Sequence, residues 1–230
     1  GGATPLQINN GFTITSGGAL LVTNSTVRVI GNGQGSSHSQ LLIDGSVTVR
    51  DGGSIIATDG GTFTAVGNVS SGSLTVLSGS LQPFDLYMGV GAGSRGTFTM
   101  AGGTTTVSSL FCAGCRVGST GTVWMTGGQL SVPNDFIEVG ANGLVGLMTV
   151  SNGTVTARDS VIGLAAGGTL TTRGTLTVAG GTVQTLLGFS AGYGPGVATG
   201  TLWITGGQFK VAGSAVLGFS QNKDKQRAIV

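Results

Sequence analysis

A short segment recurs along most of the chain, and it constrains the possible fold more than any other feature. It reads Gly-Thr-Leu-Thr-Val-Ala-Gly-Gly at Gly174–Gly181, and close copies begin at Gly96, Gly121 and Gly200. Weaker copies begin at Asn10, Gly45, Gly72 and Gly146. The eight starts are 24 to 35 residues apart. A fixed period of this size is the signature of repeat architectures, in which each unit buries its apolar side against its neighbours.

Every copy alternates apolar and polar positions. The residue between its two apolar positions is Thr in six copies and Trp in the other two, at Trp124 and Trp203. Alternation at period two predicts a half-buried strand with the threonines outside. The third and fifth residues of the copies are Phe12/Ile14, Val47/Val49, Leu74/Val76, Phe98/Met100, Val123/Met125, Met148/Val150, Leu176/Val178 and Leu202/Ile204.

Glycines divide each copy into three strands. The eighth residue is always Gly, which predicts a tight turn with positive φ before a second short strand. These glycines are Gly17, Gly52, Gly79, Gly103, Gly128, Gly153, Gly181 and Gly207. A third strand ends in an apolar residue followed by Gly, and a variable loop then leads to the next copy. We place these pairs at Ile30-Gly31, Val66-Gly67, Met88-Gly89, Ala113-Gly114, Val139-Gly140, Ile162-Gly163, Leu187-Gly188 and Leu217-Gly218.

Three strands in about 25 residues match one turn of a parallel β-helix, whose turns stack at about 4.8 Å. The sequence therefore predicts an all-β parallel β-solenoid of about eight turns over residues 10–220. Residues 1–9 are interpreted as an N-terminal extension or partial cap, and residues 221–230 as a polar C-terminal segment. The competing fold treats residues 151–154 (Ser-Asn-Gly-Thr) as a hairpin turn, which would give a stack of hairpins or an antiparallel barrel.

Composition excludes several other classes of protein. Charged residues make up 8% of the chain and the mean hydropathy is +0.37, which is too apolar for disorder. No apolar run is long enough to span a bilayer as a helix. The net charge is +2 and the basic residues are scattered, so we expect no nucleic-acid partner.

The repeated pattern Gly-Thr-Leu-Thr-Val-x-Gly-Gly with its apolar-Gly ending resembles the repeats of bacterial autotransporter passengers. It is also similar to large repeat-rich surface proteins that carry sorting tails. The resemblance covers residues 10–218. It implies a right-handed parallel β-helix that is secreted and has an adhesive or matrix role. We therefore expect an extracellular or cell-surface location.

The chain has two cysteines, Cys112 and Cys115. A local disulfide, two free packed thiols, and a metal or redox site are the three interpretations. A redox Cys-x-x-Cys belongs at a helix start in a βαβ unit, which this pattern does not predict. A zinc site would need two further ligands, and His38 is the only histidine. We expect no metal and no cofactor.

Acidic residues are the candidates for sugar-cleaving chemistry, in which paired carboxylates act together. They are Asp85, Asp135, Glu138 and Asp159. Asp85 and Asp159 fall in one column but three turns apart, roughly 14 Å, which is too far for joint action. Asp135 and Glu138 share a turn but are expected to face differently. No Ser/His/Asp or Cys/His arrangement supports nucleophilic catalysis, so we identify no catalytic residue and expect a non-enzyme.

Trp124 and Trp203 stand in the outward threonine column, three turns apart. They are the candidate ligand-binding residues, because exposed tryptophans stack on sugars or on a protein partner. The alternative is that each packs beneath a neighbouring loop. The Thr-x-Thr pairs also resemble the flat arrays of ice-binding solenoids, although the two tryptophans interrupt that flatness.

The two ends of an open solenoid carry unpaired strand edges, which natural proteins cap or bury. Neither end of this sequence has an obvious cap, although residues 228–230 (Ala-Ile-Val) could begin a ninth turn. Either the chain is part of a longer protein, or subunits self-associate end to end. The function expected is an extracellular structural or adhesive solenoid, with stacking into a filament or surface matrix. The alternatives are a polysaccharide-binding or polysaccharide-cleaving β-helix and, less favoured, an ice-binding solenoid.

Overall fold

The chain coils through three strands per turn, and like residues lie above like in successive turns. The computed structural model describes residues 4–30, 40–58, 63–116, 118–142, 145–166, 171–219 and 226–229. All regular elements in these ranges are strands, and all their pairings are parallel. The prediction of an all-β parallel β-solenoid is confirmed, and the hairpin alternative is wrong.

The first face is a nine-stranded sheet formed by the Gly-Thr-Leu-Thr-Val segments. Its strands are β3 (Ala19–Thr23), β6 (Ser46–Arg50), β9 (Ser71–Val76), β12 (Arg95–Met100), β15 (Thr120–Met125), β17 (Val145–Val150), β19 (Thr171–Val178), β21 (Val197–Ile204) and β24 (Gln226–Ile229). Because β24 pairs with β21, the C-terminal residues do add a strand beyond the eight predicted copies.

The second and third faces join into one 15-stranded sheet, because three long strands run through both. Those three are β16 (Gln129–Ala141), β18 (Thr154–Leu164) and β20 (Thr182–Tyr193). The second face also holds β1 (Leu6–Asn9), β4 (Thr26–Ile30), β7 (Ser54–Ala57), β10 (Ser80–Pro83), β13 (Thr104–Thr106) and β22 (Gln208–Val211). The third face also holds β2 (Phe12–Ile14), β5 (Gln40–Ile43), β8 (Phe63–Val66), β11 (Asp85–Met88), β14 (Phe111–Ala113) and β23 (Ser214–Phe219).

The core is a set of apolar columns inside the coil. On the first face, Leu74, Phe98 and Val123 lie in register in consecutive turns, and all three are buried. Phe98 also meets Phe111 of the third face edge to face, with ring centroids 6.0 Å apart. The alternation read from the sequence therefore gives the correct inward residues in seven of the eight copies.

The first copy is the exception. Phe12 and Ile14 pair with Leu41 and Ile43 on the third face, not with the first-face column. The first-face strand of that turn is β3, in which Leu20 and Val22 pair with Val47 and Val49. The Phe-Thr-Ile sequence has the apolar-Thr-apolar pattern of a first strand. A third strand shows the same pattern, because it also turns alternate side chains towards the core. The start predicted at Asn10 is therefore wrong, and Gly17 does not belong to the turn column.

Two third-strand endings also need correction. Ile30 lies in β4 on the second face, and Gly31 and His38 lie outside the described residues. The ending predicted at Leu187-Gly188 is four residues too early, because Ala191 is the partner of Ile162. The corner glycine there is Gly192, with φ +66°.

Backbones pack very closely at the corner between the third and first faces. A Cβ on Gly121 would collide with the Gly114 backbone nitrogen, and it would lie 2.5 Å from the Met88 carbonyl oxygen. Gly114 adopts φ +69° at the same corner. Only residues without a Cβ allow this approach, which explains why both columns are glycine along most of the solenoid.

Within the described ranges, no helix has the length and apolar character required to cross a membrane.

Candidate functional site

A column of three polar or reactive side chains runs up the outside of the third face. Tyr87 pairs with Cys112, and Cys112 pairs with Glu138, in three consecutive turns. Each stands two residues before the corner glycine of its strand. Because side chains alternate along a strand, this position points away from the core on every turn. The stacking thus gathers three residues that lie about 25 apart in sequence.

Cys112 and Cys115 form a disulfide across the Gly114 turn, with Cα atoms 5.8 Å apart. Both cysteines are buried together with Ala141, and Tyr87, Leu110 and Leu164 pack against them. This apolar cluster is separate from the main core. Within the described ranges, no group of three or more His, Cys, Asp or Glu side chains is arranged to hold a metal.

Beside the disulfide lies a cavity of about 290 Å³ that opens to solvent. It is lined by Tyr87, Leu110, Cys115, Arg116, Glu138 and Asn142. The lining combines an aromatic ring, an aliphatic side chain and a disulfide with three polar groups of different character. A surface with this mixture can bind a ligand that has both apolar and hydroxylic parts.

Glu138 is the ionisable group most affected by this environment. Burial raises the pKa of its carboxyl to about 7, and the negative charge of Asp135 adds to the effect. Its Oε2 atom lies 3.4 Å from Cys112 Sγ. Asp135 and Glu138 were expected to share a turn and to face differently. In the structure their charges interact, so they belong to one electrostatic site.

Tyr87 is held in its neutral form by the same surroundings. Burial raises the pKa of its phenol to about 12, and the charge of Asp85 is the next largest cause. Its ring packs against Phe63 of the preceding turn, with centroids 4.7 Å apart. The ring is therefore fixed in position, and its hydroxyl keeps its proton over the whole physiological range.

Asp85 and Asp135 border this region from two different turns. Asp85 Oδ1 accepts a hydrogen bond from the Leu110 amide at 3.0 Å, and Asp135 Oδ2 accepts one from the Ser109 hydroxyl at 3.3 Å. Both carboxylates thus help to hold the segment that enters the third strand. The predicted separation of Asp85 from Asp159 by three turns is confirmed by the strand register.

Arg116 and Asn142 stand two residues after their corner glycines. Asn142 has φ +52°, and its Oδ1 accepts a hydrogen bond from the Ala166 amide at 2.8 Å, which leaves its Nδ2 as a donor. The Arg116 carbonyl accepts a hydrogen bond from the Ser119 hydroxyl at 2.8 Å. These contacts fix the backbone from which both side chains reach the cavity.

Trp124 and Trp203 lie on the outside of the first face, whereas Tyr87, Cys112 and Glu138 lie on the third face. Trp124 pairs with Thr99 and Thr149, and Trp203 pairs with Thr177. Each tryptophan is 48% exposed. That exposure disagrees with the interpretation in which loops cover them. They remain two separate aromatic positions, three turns or roughly 14 Å apart, on a face rich in threonine.

The cavity was not predicted, although the repeat carries a signal for it. Counting two residues back from the third-strand glycines gives Tyr87, Cys112 and Glu138, and counting two forward gives Arg116 and Asn142. These residues occupy outward positions of the third strand and its corner, which the apolar core columns do not reveal. A site that combines one carboxyl with a phenol, a guanidinium and an amide also lacks the paired carboxylates expected of sugar-cleaving chemistry.

Comparisons with protein-family models, with curated proteins and with solved structures found no match.

Proposed function

We propose that this chain is an extracellular or cell-surface structural solenoid that acts in adhesion or in a surface matrix, and that its subunits stack end to end. Its location is supported by the disulfide, because such bonds persist mainly in oxidising compartments. The resemblance of its repeats to autotransporter passengers and repeat-rich surface proteins supports the same location and role.

Exposed residues of the core columns near both ends of the described solenoid are the observation that carries the stacking proposal. Val178 is fully buried, whereas Ile204, its partner one turn later, is 49% exposed. At the other end, Leu6 is 56% exposed, and its partner Val27 is buried. Apolar columns and strand edges that are open in this way are covered either by further turns of solenoid or by a second copy.

Negative-stain electron microscopy of this chain across a concentration series tests the stacking. We expect filaments whose width is that of one solenoid and whose length grows with concentration. An Ile204→Lys variant should remain as single rods, because a charge in the apolar column opposes burial. Isolated rods at every concentration, together with a monomeric mass by light scattering, would overturn end-to-end assembly.

The matched control is Val69→Lys, which makes the same kind of change at an exposed apolar residue on the side of the solenoid. It should form filaments like the unmodified chain. Loss of filaments in both variants would show that added charge, rather than the end surface, controls assembly. Melting temperatures of both variants establish that each remains folded.

Polysaccharide binding by the first face is the second candidate function, and the exposure of Trp124 and Trp203 favours it. Aromatic rings with one free face stack on the apolar faces of sugar rings. Retention of the protein on insoluble polysaccharides should be lost in the Trp124→Ala and Trp203→Ala double variant, while filament formation continues. Leu77→Ala, at an exposed apolar residue beside the same sheet, is the control. Equal retention of all three proteins would exclude this role for the tryptophans.

A further inference from the structure

We infer that the cavity beside the disulfide is a binding site for one uncharged pyranose residue of a glycan. This site lies on the third face, so it is distinct from the face that carries Trp124 and Trp203. It does not depend on end-to-end stacking, which would use the surfaces at the two ends of the solenoid.

The size and the apolar walls of the cavity favour a single sugar ring. Its volume, about 290 Å³, is at the lower end of the range for ligand pockets. Tyr87 and Leu110 contribute aromatic and aliphatic surface, and the disulfide of Cys115 adds to it. Sugar rings have C–H faces that pack on such surfaces, and the Tyr87 ring is already held by Phe63.

The polar groups of the lining require a ligand that both donates and accepts hydrogen bonds. The ionised Glu138 carboxylate only accepts, whereas the Arg116 guanidinium and the Asn142 Nδ2 only donate. A hydroxyl group can do both at once. Neighbouring hydroxyls on a pyranose can therefore bind the acceptor and the donors of the lining at the same time.

The charges around the cavity select against acidic sugars. Asp85, Asp135 and Glu138 contribute negative charge, and Arg116 is the one cationic residue among the described residues that line the cavity. On the following turn the residue paired with Glu138 is Val161, which carries no charge. That strand also carries Arg158 and Asp159, whose side chains pair with each other at 3.3 Å. The remaining field is negative, so a uronate would be repelled and a neutral sugar would not.

The pH dependence follows from the role given to Glu138. The ionised carboxylate is the stronger acceptor, and its share increases as the pH rises through about 7. Neutral sugar binding should therefore tighten between about pH 5.5 and about pH 8.5. A uronate would show the opposite trend, because protonation of Glu138 removes one negative charge from the site.

The experiment is saturation-transfer difference NMR with the full chain and four probes: cellotriose, maltotriose, mannotriose and trigalacturonate. We expect at least one neutral trisaccharide to bind, more tightly at the higher pH. Tyr87→Ala should weaken that binding by at least roughly tenfold through loss of the aromatic wall. Glu138→Gln should retain binding and remove its dependence on pH.

Trp124→Ala is the control on the other face and should leave this binding unchanged. Tyr87→Phe keeps the aromatic ring and should bind the trisaccharide nearly as well as the unmodified chain. This variant shows whether the weaker binding of Tyr87→Ala is caused by loss of the ring. Absence of binding by all three neutral probes, binding of trigalacturonate alone, or loss only in the tryptophan variant would each overturn the inference. The last outcome would instead support the first-face polysaccharide site.

Discussion

At the scale of single residues, Glu138 shows how stacking creates chemistry that no short motif contains. Its carboxyl is placed over the disulfide of the preceding turn, with the Asp135 charge on its own strand. Burial and the nearby Asp135 charge both disfavour the ionised carboxylate. The same carboxyl on an exposed strand would titrate near its ordinary value, so the raised pKa is a property of the assembled coil.

The first residue-scale prediction concerns stability against pH. The pKa of Glu138 is raised to about 7 in the folded chain, above that of the unfolded chain, so the folded state holds more protons between these two values. Stability should therefore be highest below the unfolded pKa and fall as the pH rises to about 7, by an amount on the order of 3 kcal/mol for this group. Glu138→Gln should flatten that part of the profile.

Urea unfolding measured from about pH 4.5 to about pH 8 would check this prediction. Asp51→Asn, which alters an exposed carboxylate at another corner of the coil, serves as the control and should keep the slope. A Glu138→Gln profile parallel to that of the unmodified chain would mean that Glu138 is readily solvated when ionised.

The second residue-scale prediction concerns threonines inside the core. Thr105 is buried between Leu81 and Leu130 of the adjacent turns, and its hydroxyl has no hydrogen-bond partner among the described residues. Thr105→Val removes that unsatisfied group and should stabilise the fold by about 1 kcal/mol. Thr99→Val, on the outside of the first face, should change little. Melting temperatures of the two variants give the comparison, and a loss in Thr105→Val would indicate that a water or a backbone group satisfies the hydroxyl.

At the scale of elements, the corner between the third and first faces depends on glycine for two separable reasons. Gly121 lacks space for a Cβ, since neighbouring backbone atoms occupy it. Gly93 has φ +78° but open space around the Cβ position. Gly121→Ala should therefore cost more than about 3 kcal/mol, whereas Gly93→Ala should cost only about 1 kcal/mol of backbone strain. Thermal unfolding of both variants is the measurement, and equal losses would refute the steric explanation.

The sequence predicted elements well wherever one pattern had one structural meaning. The alternation at Phe98 and Met100, with Gly103 closing the segment, is a first strand followed by a tight turn, as predicted. Phe12 and Ile14 show the same alternation in a third strand, so periodicity alone could not separate the two. In the turn after the first copy, the third strand ends at Ile43-Asp44 instead of an apolar-Gly pair. The third strands of the first two turns therefore could not be recognised from an apolar-Gly ending.

The candidate site was harder to predict for a related reason. The segment from Ser131 to Ile137 is one residue longer than the matching segment from Thr106 to Phe111, so Glu138 is one residue further from its repeat start than Cys112 is from its own. Cys112 and Glu138 therefore align when they are counted back from their corner glycines. They do not align when they are counted forward from the repeat start. The volume beside them depends on how the Arg116 and Asn142 loops fold, which the repeat pattern does not specify.

At the scale of the whole molecule, a solenoid has no single centre, and each turn is stabilised mainly by the turns on either side. The middle strands, such as β12 between β9 and β15, are paired along both edges. Among the described residues, β22 and β23 pair only with β20. Stability should therefore decrease from the middle towards each end, and stacking would alter the ends alone.

Hydrogen exchange read by mass spectrometry can test that gradient and the assembly together. In dilute protein, amides of β12 and β15 should exchange slowest, and those of β1, β22 and β23 fastest. At concentrations that give filaments, exchange at β1, β22 and β23 should slow, because new pairing covers both edges, while the exposed segment around Val69 should not change. If filaments form and the end strands still exchange rapidly, the subunits associate side by side. The first face, with Trp124 and Trp203, would then be the surface to test for contact between copies.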